Sequence, residues 1–222
     1  MKISAVIVAA GSGTRMGAGK NKVFLEIFGK TILEHTILAF SRCDIVDEIV
    51  VVTNETDEAL KILEKYEKPY SVTKGGSVRG ESVENGIKKA TGDIVAIHDG
   101  ARALIRPEEI KTVIEAAIKH GAAAMGVKSK DTLKTRDKDG FITGTLDREF
   151  VYNIQTPQVF FKDEIQSLYE TGGKNFTDDC ALFEECGKKV MLVEGSYDNI
   201  KITTPEDLEV AKGILEKRRQ EQ

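Results

Sequence analysis

Apolar positions along the chain fall into short continuous runs that alternate with helical stripes. Runs such as Ile3-Ser-Ala-Val-Ile-Val-Ala-Ala10, Ile49-Val-Val-Val52 and Ile94-Val-Ala-Ile97 predict strands buried on both faces, the pattern of a parallel sheet. Strands are predicted over 5–10, 48–53, 70–73, 93–98 and 122–127, with helices between them over 31–42, 56–66, 80–90 and 107–120. This alternation predicts an α/β fold: a Rossmann-like three-layer sandwich with a mostly parallel twisted sheet.

The rhythm breaks between residues 128 and 157. Lys134 to Thr145 holds an Asp139-Gly140 turn between alternating β-branched residues, which is a hairpin signal. This protruding β-arm, at about 132–154, is mostly polar, and a lone two-stranded hairpin is marginal in water. Docking on a second subunit is therefore preferred to a free flap. Helices are then expected over 163–170 and 178–186, and strands over 190–193 and 200–202. The final helix is announced by Thr204 as N-cap, Pro205 at the first position, Glu206 and Asp207 in the first turn, and Lys217-Arg-Arg219 near its end. Residues 1–222 read as a single domain carrying the arm.

Composition narrows the function classes. The chain has 41% hydrophobic and 31% charged residues, ordinary for a soluble globular domain, and no apolar run approaches the length of a membrane span. Met1-Lys2 runs straight into the first strand, leaving no room for a cleaved signal, so a cytoplasmic location is expected. A net charge of −4 argues against a nucleic-acid partner. Cys43, Cys180 and Cys186 share no metal-ligand spacing with one another or with His35, His98 and His120, and read as thiols of a reducing compartment.

The chemistry concentrates where the first strand empties into Gly11-Ser-Gly-Thr-Arg15-Met-Gly-Ala-Gly-Lys20-Asn-Lys22. Glycines let backbone N–H groups approach anionic oxygens, and Arg15, Lys20 and Lys22 can add charge-assisted hydrogen bonds, so the segment reads as a phosphate cradle. It is not a Walker loop, because Gly19-Lys20 is followed by Asn21 and the first glycine would have to be Thr14. Nor does it fit a dinucleotide fingerprint: position 16 is Met, and no helical stripe begins until Thr31. What fits is a nucleotidyltransferase loop wrapped around a nucleoside triphosphate, with Arg15 and Lys22 as catalytic cations. Fixed cations there stabilise charge that builds on the α-phosphate and the departing pyrophosphate.

Further polar islands follow. Lys74-Gly-Gly76-Ser77-Val-Arg-Gly-Glu-Ser82 reads as a base or ribose pocket, or more simply as a helix start capped by Gly80 or Ser82. In His98-Asp99-Gly-Ala-Arg102, Asp99 suits magnesium or a substrate hydroxyl and Arg102 a substrate phosphate; the plainer reading of Asp99 is a cap. Asp131-Thr132, Asp147-Arg148, Thr156-Pro-Gln158 and Phe176-Thr177-Asp-Asp179 each admit a structural reading, Thr177 as an N-cap in particular. Lys201 stands between Ile200 and Ile202, either solvent-facing or, with Asp198, part of a site. Asp99 and Asp198 are the candidate magnesium ligands.

Taken together, Ala9-Ala-Gly-Ser-Gly-Thr-Arg15-Met, Lys22-Val-Phe-Leu25, Ile32-Leu-Glu-His35, Gly75-Gly76 to Ser82, His98 to Arg102, Asp131-Thr132, Thr156-Pro-Gln158, Thr177-Asp178 and Asp198-Asn-Ile-Lys201 closely resemble the 2-C-methyl-D-erythritol 4-phosphate cytidylyltransferases over nearly the whole chain. The resemblance implies a fold of the nucleotide-diphospho-sugar transferase type and a CTP-dependent reaction, and magnesium is expected to accompany the triphosphate. In it a polyol phosphate attacks the α-phosphate of CTP and releases pyrophosphate. It assigns Arg15 and Lys22 to the transition state, Lys201 and Arg148 to the attacking phosphate, and Ala9, Ala10, Gly11, Ser12, Gly13, Gly76, Ser77 and Ser82 to CTP. Asp99, Arg102, Thr132, Thr156 and Thr177 would contact the acceptor. It also implies a homodimer through the β-arm, with Arg148, Thr132 and Thr156 reaching the partner's site.

Three positions depart from the family pattern. Asn21 replaces a proline before Lys22, which predicts a looser loop; Ala103 replaces a proline, and Ser77 an acid. A ribitol 5-phosphate cytidylyltransferase and a non-catalytic nucleotide-binding module remain open at this stage.

Overall fold

The computed structural model describes residues 1–11, 21–172 and 176–221 of the chain. The first half contains β1 (Ile3–Val8), a 3-10 turn (Lys22–Phe24), the small hairpin β2 (Glu26–Ile27) and β3 (Lys30–Thr31), α1 (Ile32–Arg42), β4 (Glu48–Val52), α2 (Thr56–Leu63), β5 (Tyr70–Thr73) and α3 (Arg79–Lys89). There follow β6 (Ile94–Asp99), α4 (Pro107–His120), β7 (Ala122–Lys128), the arm strands β8 (Lys134–Arg136) and β9 (Ile142–Thr145), and a 3-10 turn (Arg148–Phe150). The chain ends with β10 (Tyr152–Phe161), α5 (Lys162–Glu170), α6 (Asp179–Glu185), β11 (Met191–Glu194) and α7 (Pro205–Gln220).

Seven strands form one sheet in the order β11-β7-β10-β6-β1-β4-β5. β6, β1, β4 and β5 pair in parallel, as do β11 and β7, whereas β10 runs antiparallel to both of its neighbours. The mostly parallel sheet expected from sequence is therefore present, with one reversed strand inserted near its centre. Sequence reading missed β10, because a proline in a run argues against a central strand. Pro157 is accommodated where the β10–β7 register shifts between Ile154 and Gln158, so the ladder is interrupted at that point.

Burial on both faces follows from strand periodicity. Ile3, Ala5 and Ile7 of β1 join a core with Leu33, Ile37 and Phe40 of α1, Leu63 of α2, and Ile110 and Ile114 of α4. Val6 points the other way, into a core with Val83 and Ile87 of α3, Ile165 of α5 and Phe183 of α6. Each of the larger side chains, Val, Leu, Ile or Phe, contributes roughly 1.5–3 kcal/mol through burial. A third cluster, of Ile27, Ile32, Leu104, Ile202 and Ala211, seats α7 against β2 and the segment after β6.

Several local expectations are corrected. Residues 200–202 form no strand: the Ile202 N–H donates to the Ala101 carbonyl, and Ile202 is buried in the third cluster rather than on a ladder. The N-cap of α6 is Asp178, whose Oδ1 accepts from the Ala181 N–H, not Thr177. Neither Gly80 nor Ser82 caps α3, whose N-cap position is Val78. The reading of α7 holds in detail, with Thr204 and Asp207 forming a reciprocal capping box behind Pro205.

Candidate functional site

β1 and β6 end side by side, with Val8 opposite Asp99, and their carboxyl ends open into a cleft of about 440 Å³. This is where a doubly wound sheet places its ligand. One wall is Ala9, Ala10, Gly11, Asn21 and Lys22; the opposite wall is Gly76, Ser77, Arg79 and Ser82; Asp99 and Lys201 also line it. The two glycine segments touch. A Cβ on Gly75 would lie 2.2 Å from Ala10 Cβ, so glycine lets the second loop close against the first. Of the residues assigned to CTP, Ala9, Ala10, Gly11, Gly76, Ser77 and Ser82 are brought together here, while Ser12 and Gly13 lie outside the described residues, as do Arg15 and Lys20.

The second loop is shaped by its own side chains. Ser82 Oγ accepts from the Gly76 N–H at 3.0 Å and donates to the Val78 carbonyl at 3.2 Å. Glu81 accepts from both the Ser77 N–H (2.8 Å) and its hydroxyl (2.7 Å). Ser77, which departs from the family's acid, is thus held by an acid four residues on.

At the centre, Asp99 is buried and ringed by cations. Lys201 Nζ lies 2.9 Å from Oδ2, Arg102 Nε 3.6 Å from the same oxygen, and Arg79 Nε 3.7 Å from Oδ1. Burial alone would raise the Asp99 pKa, but Lys201, Arg79 and Arg102 hold the carboxyl well below the usual carboxylate range. Lys201, although exposed, therefore turns its ammonium onto the site, and it lies in no strand. Arg102 also donates from Nη1 to the Asn199 carbonyl at 2.8 Å, which ties the β6 loop to the segment before α7.

Thr156 and His98 brace this cluster from behind. The Asp99 N–H donates to Thr156 Oγ1 at 3.1 Å, and Thr156 Oγ1 lies 3.1 Å from His98 Nδ1. Burial pushes the His98 pKa down to about 4, so the ring is neutral at neutral pH. The Thr156 hydroxyl then donates to Nδ1, and Nε2–H donates to the Arg102 carbonyl at 3.1 Å. Thr156 is thus a buried brace of its own chain's site, and the expectation that it reaches a partner's site is corrected.

Arg79 is the main residue that sequence reading passed over. It forms a bidentate pair with Asp179 at 3.0 and 2.8 Å, and Asp179, fully buried, also accepts from the Tyr169 hydroxyl. Gln158 Oε1 accepts from the Asp179 and Cys180 N–H groups, so the Thr156-Pro-Gln158 island joins this network as well. A signal was present: Arg79 is the first residue of α3, where a cation opposes the helix dipole and needs a compensating partner.

Other assigned residues lie elsewhere. Thr132, Arg148 and Thr177 are exposed and do not line the cleft; Arg148 sits in the 3-10 turn after β9. Asp198 is paired with Arg218 at 3.0 Å and Arg106 at 3.9 Å. No described contact joins it to Asp99, and among the described residues no group of three or more His, Cys, Asp or Glu side chains could hold a metal ion. The residues present do not fit an Asp99–Asp198 magnesium site. Each carboxylate faces a separate set of cations, Asp99 toward Lys201 and Asp198 toward Arg218, and the two do not converge on a shared coordination position.

Comparison with known proteins agrees with this geometry. The family model described as 2-C-methyl-D-erythritol 4-phosphate cytidylyltransferase matches residues 3–217. A relative of that name from Caldanaerobacter subterraneus subsp. tengcongensis is 50% identical, covering 98% of this chain and 100% of its own length. Another, from Clostridium acetobutylicum, is 44% identical, with 96% and 97% covered. Among solved structures, 4-diphosphocytidyl-2C-methyl-D-erythritol synthase from Anaerococcus prevotii superposes with a TM-score of 0.87 at 39% identity, covering 97% of this chain and 96% of the other. The Thermus thermophilus cytidylyltransferase gives 0.76 at 28% identity, with 95% and 98% covered. With a family model matched over residues 3–217 and relatives 50% and 44% identical over nearly their full length, the chain belongs to the 2-C-methyl-D-erythritol 4-phosphate cytidylyltransferase family.

Proposed function

We propose that this chain transfers the cytidylyl group of CTP to the phosphate of 2-C-methyl-D-erythritol 4-phosphate, forming 4-diphosphocytidyl-2-C-methyl-D-erythritol and pyrophosphate in isoprenoid biosynthesis. An oxygen of the acceptor phosphate attacks the α-phosphorus; the bond to the α–β bridging oxygen breaks, and pyrophosphate leaves with the electron pair. The observation that carries the reading is Asp99 under Lys201, Arg79 and Arg102 in a cleft between two glycine walls. Arg79 is taken up by Asp179, while Lys201 and Arg102 against Asp99 leave an excess of positive charge suited to a phosphate group. Ala9 to Gly13 and Gly76 to Ser82 hold CTP, Lys22 and Arg15 act at the α-phosphate, and Lys201 and Arg102 orient the acceptor. Magnesium, expected with the triphosphate, is on this reading carried by phosphate oxygens. The names of the relatives favour the methylerythritol acceptor over ribitol 5-phosphate, and the cation cluster favours catalysis over silent binding.

Lys201→Ala tests the acceptor assignment. Losing one charge-assisted hydrogen bond of roughly 1.5–3 kcal/mol raises the acceptor KM by about ten- to a hundredfold and the CTP KM far less. An equal rise in both KM values contradicts it.

The arm supports a homodimer. Phe141 and Ile142 are 73% and 68% exposed on a hairpin that has no core of its own, and Phe150, in the 3-10 turn after β9, is 79% exposed. Within a dimer, Thr132 and Arg148 of each arm act in the other protomer's site. Deleting residues 136–142 yields a monomer by light scattering, and an unchanged dimer mass would eliminate the arm as the interface. No helix among the described residues is long and apolar enough to cross a membrane, and the three cysteines are free, which suits the cytoplasm.

A further inference from the structure

We infer that Asn21 is a positioning residue for Lys22, a clasp that joins both ends of the phosphate loop; the inference rests on the assignment of Lys22 to the α-phosphate proposed above. Asn21 is 6% exposed at the point where the chain returns from the loop. Its Nδ2 donates to the Ala9 carbonyl at 2.8 Å and to Glu55 Oε2 at 3.3 Å, and its Oδ1 accepts from the Val23 N–H at 3.3 Å. These contacts join three elements. Ala9 is the first residue after β1, and its own N–H is fixed by the Val52 carbonyl. Glu55 is held in turn by the Thr53 hydroxyl at 3.0 Å, and Thr53 is fully buried after β4.

The side chain therefore stitches the end of β1 to the start of the turn that carries Lys22. The Phe24 N–H closes that turn on the Asn21 carbonyl at 3.1 Å, and the Leu25 N–H closes it on the Lys22 carbonyl at 3.0 Å. With residue 21 held on both sides, the turn that carries Lys22 is anchored at the edge of the cleft that Lys22 lines. The looser loop expected for a chain lacking proline here falls on residues 12–20, outside the described residues; at position 21 itself an amide clasp supplies the restraint. Misplacing a catalytic cation by about 1 Å can cost about a hundredfold in rate, so a group that fixes Lys22 acts on kcat more than on CTP binding.

Steady-state kinetics of Asn21→Ala, Glu55→Ala, the double variant and Lys22→Ala in the full chain, normalised to folded protein by thermal melting, test this. Asn21→Ala lowers kcat about ten- to a hundredfold with the CTP KM within about threefold of the parent. Glu55→Ala lowers kcat by a smaller factor, and the double variant is no worse than Asn21→Ala alone, because Glu55 acts through Asn21. A kcat for folded Asn21→Ala equal to the parent's, or losses that multiply in the double variant, overturns the inference. If Lys22→Ala also keeps its turnover, the underlying assignment of Lys22 fails; if Lys22→Ala is inactive and Asn21→Ala is not, the clasp alone fails.

Discussion

Lys22→Ala lowers kcat by roughly 10² to 10³ while the melting temperature stays close to that of the parent chain. Nucleotidyl transfer moves charge onto the α-phosphate's equatorial oxygens and onto the departing pyrophosphate. A cation already in place stabilises that charge with no reorganisation at the moment of reaction. Lys22 has the needed position, at the start of a 3-10 turn on the wall of the cleft. It is only partly buried, so truncating it removes little packing. Because the ammonium works in the transition state more than in the ground state, kcat falls further than the CTP KM rises. Pyrophosphate release measured against CTP concentration, with a melting curve on the same sample, checks both halves. A near-normal kcat removes Lys22 from the chemistry, and a collapsed melting curve makes it structural.

Asp179→Ala destabilises the fold by about 3–5 kcal/mol, the cost of leaving one member of a buried ion pair alone. Asp179 is fully buried and receives both Arg79 nitrogens as well as the Tyr169 hydroxyl. Removing it strands a guanidinium and a hydroxyl at the junction of α3, α5 and α6. For a domain of this size the melting temperature falls roughly 2–4 °C per kcal/mol. Activity falls with it, since Arg79 is left with Asp99 as its remaining described ion-pair partner and competes there with Lys201. Differential scanning calorimetry reads the first effect and acceptor saturation kinetics the second. An unchanged melting temperature would show that the pair contributes nothing.

Much of this architecture was legible where local signals agree with tertiary burial. α4 spans Pro107–His120 as expected, because Pro107 marks the first helical position, the apolar stripe keeps one period and Gly121 ends it with φ of +94°. β5 at Tyr70–Thr73 is equally plain. β10 was hidden by Pro157, and the apolar alternation of Ile200 and Ile202 imitated a strand although it reflects packing against α7. The site divides in the same way. Asp99, Arg102 and Lys201 were named from islands nearly a hundred residues apart, and the fold brings them within ion-pair reach. Arg79 was passed over because its meaning lies in Asp179, a partner 100 residues away that no local spacing reveals. Asp198 looked like a site carboxylate by sequence neighbourhood, yet its charge is used by Arg218 of α7.

The central claim is cytidylyl transfer to a methylerythritol phosphate in the cleft beyond β1 and β6. Its most direct test incubates the purified chain with CTP, magnesium and either 2-C-methyl-D-erythritol 4-phosphate or ribitol 5-phosphate, and follows products by phosphorus NMR. Stoichiometric pyrophosphate and the diphosphocytidyl product are expected with the first acceptor and little of either with the second. Turnover confined to ribitol 5-phosphate, or CTP binding with no pyrophosphate from either acceptor, would contradict it.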